Sequence, residues 1–306
     1  MRADESCLGG AWGYRLVRAD ARKGWTLMRD LAAHPELLSL NTATVRQRWT
    51  LPEIIEGCAR AGIRSISPWR DQIAACGLDT AARLIKAHKL RVSGVCRGGM
   101  FPAADAAGRA KAFDDNKRAV DEAVALSAEC LVLVVGGLPA GSKDIAGARA
   151  QVADGIAALR DYAEPRGIPL AIEPLHPMYA ADRACVNTLS HANDLCATIG
   201  RGVGVAIDVY HVWWDPDLEA EIARAGRAGT ILAFHVCDWL VPTKDLLLDR
   251  GMMGDGVIDI VRIRNLVEAT GYDRTVEVEI FSAGDWWQRD PDAVLAIVKE
   301  RYVRCC

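Results

Sequence analysis

The chain of 306 residues has no long run of basic residues: 37 Lys and Arg stand against 40 Asp and Glu, a formal charge of −3. That balance offers no basic footprint for nucleic acid. Long apolar runs are missing too. Hydrophobic residues make up 51% of the chain, yet Gly, Pro or a charge breaks every run before the roughly 18 residues that would span a membrane. There is no CxxC pair among the ten cysteines. Cys58, Cys76, Cys96, Cys130, Cys185, Cys196 and Cys237 are scattered through apolar segments, which reads as reduced thiols in a cytoplasmic protein. Cys305 and Cys306, at the end of the sequence, are expected to be exposed.

Residues 1–30 lack the apolar stretch of a signal sequence, because charges recur at Arg2, Asp4, Glu5, Arg15, Arg18, Asp20, Arg22 and Lys23. They read as a partly disordered extension outside the fold, with Met28 a candidate natural start and residues 31–306 the domain. No glycine fingerprint follows the first strand, which counts against a dinucleotide-binding open sheet.

What is present is a regular alternation. Short apolar segments at 37–41, 63–67, 90–96 and 130–135 read as strands. Four more end in a polar residue: Pro-Leu-Ala-Ile-Glu173, Val-Gly-Val-Ala-Ile-Asp208, Ile-Leu-Ala-Phe-His235 and Thr-Val-Glu-Val-Glu279. Helical patterns lie between them at 109–128, 143–166, 189–199, 217–228 and 258–270. Another opens at Thr50 with a Thr-x-x-Glu capping box and closes near Gly62. Eight strands at roughly 25–45 residues per repeat predict an α/β fold, a single-domain (β/α)8 TIM barrel. An open doubly wound sheet is the runner-up.

A buried parallel strand reads as a continuous apolar run, and α/β enzymes place their chemistry at the C-terminal ends of such strands. Three carboxylates and an imidazole converging there would repel unless a cation sat among them. Glu173, Asp208, His235 and Glu279 are therefore candidate ligands. Oxygen and imidazole donors suit one divalent ion, Mn2+, Mg2+, Co2+ or Zn2+.

Each candidate has a competing reading. Pro174 locks the chain after Glu173 and prevents a helix there, which aims the carboxylate at a site. Asp208 could instead cap a helix, and His211 could be a core histidine. A lone His at a strand end, as His235 is, more often has a structural role. Glu277 and Glu279 share one strand face, so Glu277 is the alternative if the register slips by two.

Arg250, in a Gly-rich loop, is a candidate for binding substrate oxygens. So are His176, His211, Asp238 and Arg97, all close to strand ends. Trp69, Trp213, Trp214, Trp239, Trp286 and Trp287 also follow strand ends. They read either as core or as an aromatic wall for sugar C–H faces, Trp69 and Trp239 foremost.

Together, Ile172-Glu173-Pro174, Asp208-Val209-Tyr210-His211, His235-Val236-x-Asp238 and Gly254-Asp255-Gly256-x-Ile258-Asp259 before Glu279 resemble the xylose isomerase-like TIM-barrel superfamily of sugar phosphate isomerases and epimerases. The resemblance covers residues 37–303. It implies a Glu-Asp-His-Glu ligand set on Glu173, Asp208, His235 and Glu279, with manganese the first choice of metal. It makes Glu173 and Glu279 the acid and base, and places His211 and Arg250 on substrate oxygens. Endonuclease IV, in the same superfamily, needs extra histidines for three zinc ions. Here the second strand ends in Ser67-Pro68-Trp69, the third in Cys96-Arg97, and the late loop reads Asp249-Arg250-Gly251. That trinuclear site cannot be built.

The implied activity is α-proton abstraction from a carbohydrate or keto-polyol through an enediolate, giving an isomerase or epimerase. Glu173, Glu279 and His211 are the candidate catalytic residues. A β-eliminating lyase using the same site is an alternative, as is a non-catalytic sugar-binding subunit. Exposed apolar residues on the outer helices leave a homo-oligomer open.

Overall fold

The computed structural model describes residues 14–18 and 25–306. Nine parallel strand segments carry the apolar runs: β1 (Leu38–Asn41), β2 (Ser65–Ser67), β3 (Arg91–Val92), β4 (Val95–Gly99), β5 (Leu131–Val134), β6 (Leu170–Ile172), β7 (Val203–Asp208), β8 (Ile231–Val236) and β9 (Val276–Val278). Their order around the sheet is β3-β2-β1-β9-β8-β7-β6-β5-β4. Segments β3 and β4 are two pieces of one barrel strand, parted at Ser93-Gly94. The two edges of the sheet therefore meet at one place in the chain, and the barrel nearly closes. This is a (β/α)8 TIM barrel, and the open sheet is excluded.

The outer layer comprises α1 (Leu51–Ala61), α2 (Arg70–Cys76), α3 (Leu78–Ala87), α4 (Ala106–Ala125), α5 (Ile145–Ala163), α6 (Leu189–Ile199), the short α7 (Val209–Val212), α8 (Leu218–Ala228), α9 (Ile260–Glu268) and α10 (Pro291–Cys305). The Thr50 capping box forms, with Thr50 N donating to Glu53 Oε2 at 2.7 Å. Gly62 closes α1 in the left-handed conformation at φ 77°.

Alternation along each strand divides the interior in two. Leu38, Leu40, Ile66, Leu131, Leu133, Leu170, Val205 and Ile207 face outward into the large core beneath the helices. Inside the barrel, a small separate core of Cys96, Cys130, Val132, Ala171, Ala206 and Ala233 is overlaid by polar groups. Small alanines on three successive strands leave room for the long polar side chains one step further along.

An antiparallel pair, Tyr14–Arg18 with Trp25–Arg29, precedes the barrel. The partly disordered extension expected over residues 1–30 falls largely on residues 1–13 and 19–24, which lie outside the described residues. Cys306 departs from expectation: it is buried at 5% exposure because the last helix folds its end back against the core, while Cys305 is half-buried. Among the described residues, no helix is long and apolar enough to cross a membrane.

Candidate metal centre and its cavity

Adjacent strands deliver the polar residues to one point. Parallel pairing sets His235 beside both Asp208 and Glu277. Glu173 and Glu279 emerge just past the ends of β6 and β9. One ligand atom from each of Glu173, Asp208, His235 and Glu279 lies within 4.8 Å of every other, and all four residues are buried. Ligands about 2.1 Å from a common ion sit within about 4.2 Å of one another, so the spacing is close to a ligating one.

The structure offers a further test of fit. His235 Nδ1 lies 3.2 Å from Glu173 Oε1, while Nε2 makes no hydrogen bond and lies 3.6 Å from Glu277 Oε1, deeper in the barrel. Burial alone would push the His235 imidazole down; Glu277, Glu173 and Glu279 outweigh it and raise the ring well above its ordinary value. A pocket that draws a proton onto a fully buried imidazole has an excess of negative charge. The donor set and that charge excess fit a divalent cation.

The second cation in the cluster is Arg250, 3% exposed. Its Nη1 donates to Asp208 Oδ2 at 2.9 Å and to Glu279 Oε2 at 3.2 Å. Burial would raise Asp208, but Arg250, with help from His211 and His235, holds it below the usual carboxylate range. Glu279 goes the other way: burial, opposed by Arg250 and reinforced by Glu173, pushes it up to about 8. The capping role considered for Asp208 is present, since its Oδ1 accepts from Tyr210 N at 2.8 Å and so caps α7, while Oδ2 stays in the candidate ligand cluster.

His211 Nδ1 accepts from His176 N at 3.2 Å, and Nε2 lies 3.1 Å from Arg250 Nη2. Nδ1 accepts, so the neutral ring carries its one proton on Nε2, which also lies 3.7 Å from Asp208 Oδ2. Burial pushes this imidazole down to about 3, so it is neutral.

Asn41 was not singled out from the sequence, yet it ties the site together. Its Nδ2 donates to Glu277 Oε1 and to Glu279 Oε1, both at 2.8 Å. Its Oδ1 accepts from Trp69 Nε1 at 2.8 Å and from Ala43 N at 3.0 Å. The signal was the same as for the quartet, a polar residue at a strand end, but uncharged. Glu277 lies deeper, where its Oε2 accepts from Ser93 Oγ at 2.8 Å.

The quartet opens on a cavity of about 130 Å3 lined in part by Glu173, Glu279, His211, Arg250, Trp69 and Arg97. Tyr179, Arg183 and Phe281 also reach it. Several expected contacts do not. Asp238 is 1% exposed, and its oxygens accept from Gly254 N at 2.9 Å and Ile258 N at 3.0 Å, so it shapes the loop that carries Arg250. Trp239 turns away from the cavity and stacks on Tyr210 at 4.7 Å and on His176 at 5.1 Å. His176 is thereby held behind the wall. Trp213 packs against the core, and Trp214 Nε1 donates to His211 O at 2.8 Å. Trp286 and Trp287 are buried, the latter against Phe281. Of the expected tryptophan wall, Trp69 alone lines the cavity.

A larger cavity of about 540 Å3 lies at the opposite end of the barrel, around Gly200, Gly202 and Thr230, where β7 and β8 begin. It is remote from the quartet, and chemistry in this fold sits at the other end.

Fold and site define a barrel with a candidate metal centre at the C-terminal ends of its strands. A family-wide sequence description, xylose isomerase-like TIM barrel, matches residues 55–297, and the chain belongs to that family. No curated protein matches it by sequence. Among solved structures, protein SMc04130 from Sinorhizobium meliloti 1021 is 62% identical, with a TM-score of 0.88 over 89% of this chain and 99% of that one. An IOLI protein with a binding zinc atom is 21% identical, TM-score 0.76, over 88% and 97% of the two chains. A D-psicose 3-epimerase, solved in the presence of D-fructose, is 18% identical, TM-score 0.71, over 87% and 98%. These last two share the fold.

Proposed function

We propose that the chain is a divalent-metal-dependent isomerase or epimerase of a keto-sugar or keto-polyol, acting by removing the proton α to a carbonyl. The supporting observation is the buried quartet of Glu173, Asp208, His235 and Glu279 facing a cavity. These four would hold the ion, manganese first, which would polarise the substrate carbonyl and offset charge on its oxygens. That barrels of this fold include one described as an epimerase and one with bound zinc is consistent with this class.

The chain's own residues handle the proton. Glu173 and Glu279 both reach the cavity, so one carboxylate takes the α-proton and the other returns it. Asn41 and Arg250 fix the two oxygens of Glu279. Burial raises Glu279 to about 8 in the metal-free cluster, and a bound cation would favour its carboxylate form, the form that takes up a proton. Neutral His211 contacts a substrate oxygen and braces Arg250; it does not deliver a proton as imidazolium. Return to the opposite face epimerises, and return to the neighbouring carbon isomerises. A leaving group β to the carbonyl would be expelled instead, making the enzyme a lyase.

The test is metal analysis of the purified protein and of a Glu279→Gln variant, with proton NMR on ketoses, inososes and 3-keto-glycosides in D2O. About one divalent ion per chain, with deuterium entering a carbon α to a carbonyl in wild type and not in the variant, is the expected result. Absence of metal after reconstitution overturns the reading.

A further inference from the structure

Two cations, Arg97 and Arg183, line the cavity, and among the described residues their one ion pair is that of Arg183 with exposed Asp182. Arg97, on β4, is half-buried, and no described residue gives it a hydrogen bond or an ion pair. Its neighbours are different: Arg70 pairs with Asp115 and Glu122, Arg46 with Asp71, and Arg250 with Asp208 and Glu279. Arg183, in the loop after β6, lies 5.7 Å from the Tyr179 ring centre and 3.7 Å from Asp182, its exposed neighbour in sequence. Burial and then Arg183 both lower Arg97 from its ordinary value, so the two guanidiniums feel each other. The carboxylate nearest in effect, Glu173, is engaged by His235.

A partly buried charge without a partner is costly, and two like charges converging on one cavity compound the cost. The cavity is thus polarised, with Glu173 and Glu279 beside Arg250 at one side and the weakly paired Arg97 and Arg183 at the other. Beyond Arg97 it adjoins a second space of about 380 Å3, also lined by Trp69, Gly98 and Gly99. Guanidinium forks match carboxylate and phosphate oxygens.

We propose that Arg97 and Arg183 form an anion-binding end of the cavity, and that the substrate is a keto-polyol bearing a carboxylate or phosphate group. The word substrate rests on the function proposed above; the anion site does not.

The experiment is calorimetric titration of the purified, metal-containing protein at low salt with inorganic phosphate and, separately, with glycerate. Wild type is compared with Arg97→Gln, Arg97→Lys and Arg183→Gln, with melting temperature and metal content checked for each. At least one anion is expected to bind, and whichever binds more tightly identifies phosphate or carboxylate. Affinity is expected to fall roughly 10- to 100-fold in Arg97→Gln and to be largely kept in Arg97→Lys. If Arg97→Gln does not fold, the partly exposed Arg183→Gln carries the comparison. No binding of either anion, or binding indifferent to both arginines, overturns the proposal. The two readings separate by deuterium exchange. Exchange into neutral ketoses that is unaltered in Arg97→Gln overturns the anionic substrate and leaves the chemistry standing. Arginine-dependent anion binding without exchange into any keto compound supports the site and overturns the chemistry.

Discussion

Replacing Arg250 by methionine isolates the charge balance of the candidate metal centre. In metal-free protein this removes the donor that holds Asp208 Oδ2 at 2.9 Å and Glu279 Oε2 at 3.2 Å. Methionine keeps much of the packing over Tyr210 and Phe281, whose ring centres lie 4.4 and 5.1 Å from the guanidinium carbon. The cost is therefore mainly electrostatic. Removing one member of a buried ion pair costs about 3–5 kcal/mol. Glu279 escapes part of it by taking up a proton, since it is already pushed up to about 8. Asp208, held down by Arg250, carries most of the penalty. With an unfolding entropy of about 2.1 cal/mol/K per residue, a chain of 306 residues changes by about 0.64 kcal/mol per degree. A loss of about 4 kcal/mol then lowers the melting temperature by about 6 °C. Adding Asp208→Asn to the Arg250→Met variant removes the stranded charge while keeping an oxygen for Tyr210 N. It should restore about 2 kcal/mol, or about 3 °C, although Asp208→Asn alone destabilises the wild type. The assay is scanning calorimetry in EDTA at pH 7 on wild type, both single variants and the double variant. If the two losses simply add, stranded charge is not the cause and the reasoning fails.

Two further outcomes are expected. A Cβ on Gly256 would overlap the Trp239 carbonyl oxygen and lie 2.6 Å from Asp238 Oδ1, so Gly256→Ala should cost about 1–3 kcal/mol in urea unfolding; a change below about 0.5 kcal/mol would show that the loop yields freely. In native protein at pH 8, an aromatic disulfide reagent should label Cys76 and Cys305 among the described thiols and leave buried Cys58, pushed up to about 12 by burial, and buried Cys306 silent until unfolding. Peptide mapping that finds Cys306 modified at the rate of Cys305 would contradict the packing of the last helix.

The quartet was legible because an apolar run that stops on a charged residue is a strong local signal, and parallel strands bring their ends together without further information. For the same reason β7 and the helix Leu189–Ile199 fall on their expected residues. Asn41 has the right position but no charge, and only the register of β1 beside β9 shows that it bridges Glu277 and Glu279. The tryptophans failed for a related reason. Their place after strand ends is local, whereas the direction of each ring depends on which neighbours fill the space behind it. Helices α2 and α3 gave little signal because their N-caps, Trp69 and Gly77, make no side-chain capping bond. Arg97 and Arg183 lie far apart in the chain and meet only because β4, β5 and β6 are adjacent.

Barrels of this kind usually fill their interior with branched hydrocarbon. Here the level beneath the quartet holds Ser39, Ser93 and Glu277, with Ser39 Oγ 2.7 Å from Ser93 Oγ, and Ser93 stands where the third barrel strand breaks in two. The ring is thus fastened at its weakest join by the same small polar chain that supports the charged groups above. Hydrocarbon at Ser93 would leave Glu277 Oε2 buried without its donor and unfasten that join. The closure of the ring and the footing of the charged groups thus depend on the same two hydroxyls.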